Sequence, residues 1–260
     1  MSSFVRYEVA DAIATITLDR REKRNAMSFA MLGDFLDTVE RAGADPAAQV
    51  VIVTGSGGSF CAGTDLADLS TVPGAQRGLR GEAQDKSRWW PLVSCPKPVI
   101  GAIDGPAVGM GAEFTSQCDV RIASSRARFA WNFAHRGLVP DTGAGTWLLP
   151  RLIGSARALR LLYSGAFLAA DEALAIGYVA RVVEPEALAD AAREEAQSFL
   201  AGSPLSHRLI KALVYAGFER GVLEHMTQHR EALSSCFRSD DHREGVAAFL
   251  ERRPATFTGR

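Results

Sequence analysis

An α/β architecture with a helical C-terminal region is what the amino-acid sequence predicts, on three observations. Short apolar runs that end in Gly or polar turn residues alternate with helical periods over about the first 150 residues. Beyond them the apolar spacing is helical. And 47% of the 260 residues are hydrophobic against 23% charged. That is enough apolar surface to offset the ordering entropy of one large domain, or of one domain with a smaller appendage.

The elements follow in order. Phe4 to Val9 and Ala12 to Leu18 read as two strands around a turn at Ala10-Asp11, because Ala14, Ile16 and Leu18 alternate with Ile13, Thr15 and Thr17. A helix is expected after Asn25. Ser28 can cap it, and Leu32, Phe35, Leu36 and Val39 fall on one stripe. Val50 to Val53 is a β-branched run that enters Thr54-Gly55-Ser56-Gly57-Gly58, a buried strand closing in a flexible loop. Residues 71 to 88 have no clean period and read as a mobile or irregular segment. Pro98 to Asp104 is the next strand, Gly105-Pro106 turns the chain, and Gly109-Met110-Gly111 precedes a short helix over Ala112 to Gln117. Asp119 to Ala123 and Ala127 to Ala130 read as strands. Helical patterns then occupy Ser155 to Tyr163, Ala170 to Ile176, Glu186 to Leu200, Ser203 to Ala216, Val222 to Phe237 and Asp240 to Arg252. Ser203-Pro204 suits a cap followed by Pro at the first helical position. Gly177 and Gly202 suit helix C-termini, and Ser239-Asp240-Asp241 places acids at a positive dipole end.

Composition narrows the function. Lys plus Arg number 29 and Asp plus Glu 30, a net charge of −1, which argues against a nucleic-acid binder working by counterion release. No apolar run reaches the length of a membrane span. The N-terminus lacks the basic-then-apolar plan of a secretory signal. Cys61, Cys95, Cys118 and Cys236 are scattered and form no CxxC pair, which fits reduced thiols in a cytoplasmic protein.

Common catalytic signatures fail. The stretch nearest to GxGxxG has Phe60 where the third Gly belongs, and neither a P-loop nor a GxSxG elbow occurs. Ser94-Cys95-Pro96-Lys97 matches SxxK without its partner motifs. His225 and His229 share a helix face but lack a third ligand at useful spacing, so no metal site is expected.

Two Gly-rich segments each follow an apolar strand: TGSGGSFCAGTDL at Thr54 to Leu66 and GPAVGMGAEF at Gly105 to Phe114. Read singly, each is a tight βα turn, and Glu113 is a first-turn acid facing the helix dipole. Side by side, they could offer two backbone N–H groups to one oxygen, as an oxyanion hole does.

The order and spacing of RNAMS (Arg24 to Ser28), SFCAGTDL (Ser59 to Leu66), KPVIGAIDGPAVGMGAEF (Lys97 to Phe114), CDVRIAS (Cys118 to Ser124), FAWNFAHRGLVPDTGAGTWLLPRLIG (Phe129 to Gly154) and FLERRPATF (Phe249 to Phe257) resemble the crotonase superfamily, the enoyl-CoA hydratase/isomerase family. The resemblance implies a spiral of ββα units over residues 1–195 and a helical trimerisation region over 196–260. It implies trimers or dimers of trimers, and an acyl-CoA thioester as substrate with coenzyme A as part of it and no further cofactor. The thioester oxygen would be held by the amides of Thr64 and Met110, with Glu113 as a catalytic carboxylate. Coenzyme A and substrate would run along Ala26, Ala62, Asp65, Leu66 and Phe133. Phe249 and Arg252 of a C-terminal helix, from this subunit or a neighbour, would approach the CoA.

The sequence departs from the family's hydratases at one decisive place. Their second glutamate would fall on Phe133, in Phe129-Ala130-Trp131-Asn132-Phe133. Phe neither takes nor gives a proton, and it dries that side of the pocket. A carboxylate returns at Asp141, in LVPDTGAGTW, which resembles the members that shift double bonds. Asp141 read alone is a turn residue or a helix cap. Three readings stay open: an enoyl-CoA isomerase using Glu113 and Asp141, a β-oxidation enoyl-CoA hydratase relying on Glu113, and a CoA-thioester binding protein with weak or no catalysis. Residues 70 to 92 are expected to line or cover the acyl pocket, with Trp89, Trp90 and Trp131 either shaping it or serving as core.

Overall fold

The structure, a computed structural model, describes residues 4–71 and 89–260. All but the first residue of the irregular segment expected at 71–88, and most of the cover expected at 70–92, therefore lie outside the described residues.

Strands β1 (Val5–Ala10) and β2 (Ile13–Leu18) form a hairpin. Its turn falls on Asp11 and Ala12, both at positive φ, one residue later than the sequence pattern suggested. Helix α1 (Phe29–Ala44) opens as expected, with the Ser28 hydroxyl accepting from the Met31 amide at 3.1 Å. Its buried line is Met31, Phe35, Val39 and Ala42, with Leu32 partly buried beside it. Next come β3 (Val50–Gly55) and two short helices, α2 (Leu66–Ser70) and α3 (Pro91–Ser94). Strands β4 (Val99–Ile103) and β5 (Pro106–Val108) lead directly into α4 (Met110–Gln117). Strands β6 (Val120–Ser124) and β7 (Arg128–Ala130) repeat the strand pair.

Of each such pair, one strand enters a large sheet and the other a small one. The large sheet has the order β1-β2-β3-β4-β6-β9, antiparallel at the first hairpin and parallel thereafter. The small sheet has the order β5-β7-β8. Helices α5 (Ala144–Trp147), α6 (Leu149–Ile153) and α7 (Ser155–Ser164) follow. Strand β8 (Leu168–Ala169), helix α8 (Ala170–Ala175) and strand β9 (Arg181–Val183) come next. The chain ends in α9 (Leu188–Leu200), α10 (Pro204–Gly217), α11 (Val222–Arg238) and α12 (Asp240–Glu251). The sequence pattern missed β8 and β9, because two or three residues are too few to show a period of two. Gly177 takes the left-handed conformation expected at a helix end, whereas Gly202 does not.

Alternation along β3 explains the two-layered core. Val51 and Val53 face α1 and the main cluster, with Phe35, Phe60 and Phe114. Val50 and Ile52 face the opposite way, where Leu188, Ala191, Ala192 and Ala196 of α9 cover them. A parallel sheet needs both faces covered, and the near-continuous apolar run of β3 reads accordingly. Helix α9 thus runs unbroken past residue 195 against the sheet.

Helix α10 is docked by a polar node that the sequence pattern does not show. Lys211 Nζ donates to Asp119 Oδ2 (2.7 Å), Leu92 O (2.8 Å) and Lys97 O (3.0 Å). Tyr215 donates to Asp119 Oδ1 at 2.9 Å, and Asp119 also accepts from the Val99 amide. Asp241 lies in the first turn of α12, as expected, and is also buried, accepting from Ser203 and from the Thr258 and Gly259 amides. No helix among the described residues is long and apolar enough to cross a membrane.

Candidate active site

The first Gly-rich loop is held by Asn25. This residue is fully buried at a φ of 57°, a conformation Asn tolerates better than most L-residues. Its Nδ2 donates to Ser56 O (2.9 Å) and Ser59 O (2.7 Å), and its Oδ1 accepts from the Arg20 amide (2.8 Å). One side chain thereby fixes the bend after β3. The sequence motif contained Asn25, but sequence reasoning gave it no role.

The loop then lies between two backbone partners. The Met27 amide donates to Gly63 O at 2.7 Å, and the Asp65 amide donates to Met27 O at 2.9 Å. On the other side, the Cys61 amide donates to Pro106 O and the Val108 amide to Cys61 O. These parallel bridges bring the two Gly-rich segments edge to edge. Two glycines make the approach possible. At Gly63, φ is +96°, and a Cβ there would stand 2.9 Å from Val108 O and 3.7 Å from the Met110 amide nitrogen. At Gly111, a Cβ would come within 2.3 Å of Cys61 O. Neither the Thr64 nor the Met110 amide finds an acceptor among the described residues. Met110 is the first residue of α4, so its free N–H also carries the positive end of the helix dipole.

Glu113 sits in the first turn of α4 with no exposed surface. The Thr142 hydroxyl donates to its Oε2 at 2.8 Å, while Oε1 has no hydrogen-bond partner. Burial pushes its pKa up from 4.5 to about 8. The Thr142 hydrogen bond pulls the other way, and Asp141 raises it further by charge repulsion. The amides of Ala144 and Gly145, at the start of α5, also favour the carboxylate, without reaching hydrogen-bond geometry at Oε1.

Asp141 joins the same group. Its Oδ2 accepts from the Thr64 hydroxyl at 3.4 Å, and its Oδ1 is enclosed without a partner. Burial raises its pKa from 3.8 to about 6. The structure therefore brings together Thr64, Met110, Glu113 and Asp141, residues spread over 78 positions of sequence and carried by the first Gly-rich loop, the start of α4 and the segment before α5. Phe133 forms an apolar wall beside them, its ring 3.9 Å from the Cβ position of Gly109. Trp131 is fully buried, edge-on to Tyr178 at 5.4 Å. Trp90 donates its Nε1 to Thr142 O at 2.9 Å. Sequence reasoning missed Thr142 and Gln117, whose hydroxyl and amide carry no periodic or motif signal.

The expected coenzyme A contacts are more dispersed. Ala26 and Ala62 are half-buried and tied to the first loop, the Ala62 amide donating to Arg24 O. Both oxygens of Asp65 are engaged inside the protein, Oδ2 with Arg20 Nη1 (2.8 Å) and Oδ1 with the Ala67 amide (3.0 Å). Leu66 is exposed. Phe249 and Arg252 stand on the exposed side of α12 and its C-terminus, and no hydrogen bond or ring contact among the described residues joins them to Glu113.

Comparison with known proteins gives the chain a family. The family model for enoyl-CoA hydratase/isomerase matches residues 8–260. The chain belongs to the enoyl-CoA hydratase/isomerase family. This member is 36% identical to a probable enoyl-CoA hydratase of Rhodobacter capsulatus over 260 residues, 98% of each chain. It is also 36% identical to the 1,2-epoxyphenylacetyl-CoA isomerase of Escherichia coli over 266 residues, the whole of both chains. Its fold is similar to that of an enoyl-CoA hydratase subunit from Geobacillus kaustophilus, with a TM-score of 0.91 at 33% identity over 100% of both chains. The crotonase fold expected from the sequence is therefore the fold found, with its helical C-terminal region.

Proposed function

We propose that this enzyme moves the double bond of an enoyl-CoA from the 3 to the 2 position, with Asp141 and Glu113 as the proton-transferring pair. The observation that carries the reading is the split between two carboxyl groups at one site. With pKa values of about 6 and about 8, Asp141 is mainly ionised and Glu113 mainly protonated near neutral pH. One residue is then a base and the other an acid in the same resting state.

The chemistry follows from that division. The thioester oxygen is received by the Thr64 and Met110 amides, which favour the charge that develops on it. The Asp141 carboxylate takes a Cα proton, and the electron pair of that C–H bond spreads through the dienolate. The dienolate then takes the Glu113 proton at Cγ, leaving the double bond between Cα and Cβ. Returning the site to its starting form moves one proton from Asp141 to Glu113, from the more acidic group to the more basic one. Phe133 keeps a nucleophilic water from the side where hydratases of the family carry their second glutamate.

Incubation with 2-enoyl-CoA and with 3-enoyl-CoA, followed by conjugated-thioester absorbance, tests the proposal. Gain of signal from the 3-enoyl substrate supports isomerisation, and Asp141→Asn should abolish it. Loss of signal from the 2-enoyl substrate supports instead the hydratase reading, which the names of several relatives favour. No change with either leaves thioester binding alone.

We also propose that the protein works as a homotrimer, or a dimer of trimers, built through the C-terminal helices. Ile210, Val214, Leu223, Phe237, Phe249 and Leu250 are exposed on those helices, and exposed large apolar side chains are what a subunit contact would cover. Assembly would also bring Phe249 and Arg252 toward a neighbour's CoA. Coenzyme A enters as part of the substrate. The free, mostly buried cysteines suit the cytoplasm.

A further inference from the structure

Glu113 has two oxygens in unlike surroundings, and the difference lies with Thr142. The Thr142 hydroxyl has one hydrogen and two lone pairs. Two N–H donors approach its oxygen: the Ala144 amide at 3.3 Å and Gln117 Nε2 at 3.5 Å. Gln117 is fully buried, one turn beyond Glu113 on α4. The orientation of its amide is settled by a neighbour, since Nε2 also donates to Trp89 O, which can only accept. With its lone pairs facing donors, Thr142 has its hydrogen left for Glu113 Oε2 at 2.8 Å. The backbone carrying Thr142 is itself pinned by the Trp90 indole, which donates to Thr142 O at 2.9 Å.

We propose that Thr142, aligned by Gln117 and Ala144, is a positioning residue that keeps Glu113 Oε2 an acceptor, so that the proton Glu113 carries resides on Oε1. This inference rests on the acid role given to Glu113 above. It explains why Oε1 is the buried oxygen without a partner: a group that must exchange a proton with substrate cannot have that atom committed elsewhere. It also gives Thr142 two effects. The residue holds the carboxyl group in one rotamer, and it favours the ionised form, so its removal makes Glu113 harder to ionise.

The test compares Thr142→Val, which keeps the shape and loses the hydroxyl, with Thr142→Ser, which keeps the hydroxyl. Two quantities are read on the full-length protein. One is the ionisation midpoint of Glu113, followed by infrared difference spectroscopy of the carboxyl band and assigned with Glu113→Gln. The other is the pH profile of kcat and KM with 3-enoyl-CoA. In Thr142→Val the midpoint should rise by about one pH unit, as expected for a lost hydrogen bond to a carboxylate. Its kcat should fall about tenfold while KM stays within about threefold, since Thr142 is assigned no substrate contact. Thr142→Ser should restore both. An unchanged midpoint in Thr142→Val overturns the proposal, as does a Ser variant no better than Val. Should the midpoint move while the native protein fails to isomerise 3-enoyl-CoA, the positioning role stands and the isomerase reading falls.

Discussion

Replacing Glu113 by Gln should destroy turnover and at the same time stabilise the fold, increasingly so as the pH rises. In the folded protein the Glu113 pKa is raised from 4.5 to about 8, chiefly by burial. The folded state therefore holds this proton more tightly than the unfolded state. Between those two values the unfolded chain has released the proton and the folded one has not, so stability falls with rising pH. Each pKa unit is about 1.4 kcal/mol, so the full penalty above pH 8 is about 5 kcal/mol. Gln at this position is neutral at every pH and still offers an oxygen to the Thr142 hydroxyl. Urea unfolding at a fixed protein concentration, at pH 5, 7 and 9, measures the difference. The variant should gain little at pH 5 and several kcal/mol at pH 9. An advantage that is the same at pH 5 and pH 9 would refute the reasoning, because it would mean that Glu113 ionises in the fold as readily as in water.

Three further outcomes are expected. For 3-enoyl-CoA isomerisation, kcat/KM should follow a bell in pH, rising through about 6 as Asp141 ionises and falling through about 8 as Glu113 loses its proton. A profile flat between pH 5 and 9 would count against the paired roles. Lys211→Met should destabilise the protein by about 3–5 kcal/mol, because it leaves the Asp119 carboxylate and two carbonyls without their cation. Hydrogen exchange should show faster opening of α10 in that variant, and unchanged protection there would argue against the docking role. Asn25→Ala removes three hydrogen bonds from the bend after β3. It should lower kcat more than it changes substrate KM, measurable by steady-state kinetics, because it loosens the loop that carries the Thr64 amide.

The sequence pattern made some parts of this molecule legible and left others hidden, for physical reasons. Caps are local, so Ser28 and Ser203 could be assigned from a few neighbouring residues, and each accepts the expected amide. The alternation in β2 and the run in β3 are long enough to show a period. Strands β8 and β9 are too short for that, and they exist because a neighbouring strand offers an edge. The node of Lys211, Asp119 and Tyr215 joins residues about a hundred positions apart, and no local pattern encodes such a pairing. At the site, Glu113 and the glycine loops could be seen because glycine reports on backbone conformation directly. Asp141 was visible through the likeness of LVPDTGAGTW to family members that shift double bonds. Thr142 and Gln117 were invisible because their importance lies in which lone pair faces which donor.

The meeting of the two loops is made by peptide groups, and this has an evolutionary consequence. On the proposed reading, a grip made by the Thr64 and Met110 amides depends on backbone and not on the Met110 side chain, while the Thr64 hydroxyl also reaches Asp141. Side chains at 113, 133, 141 and 142 could then change while that backbone frame is kept. The chain stands at equal distance, 36% identity, from a relative named as a probable enoyl-CoA hydratase and from another named as a 1,2-epoxyphenylacetyl-CoA isomerase.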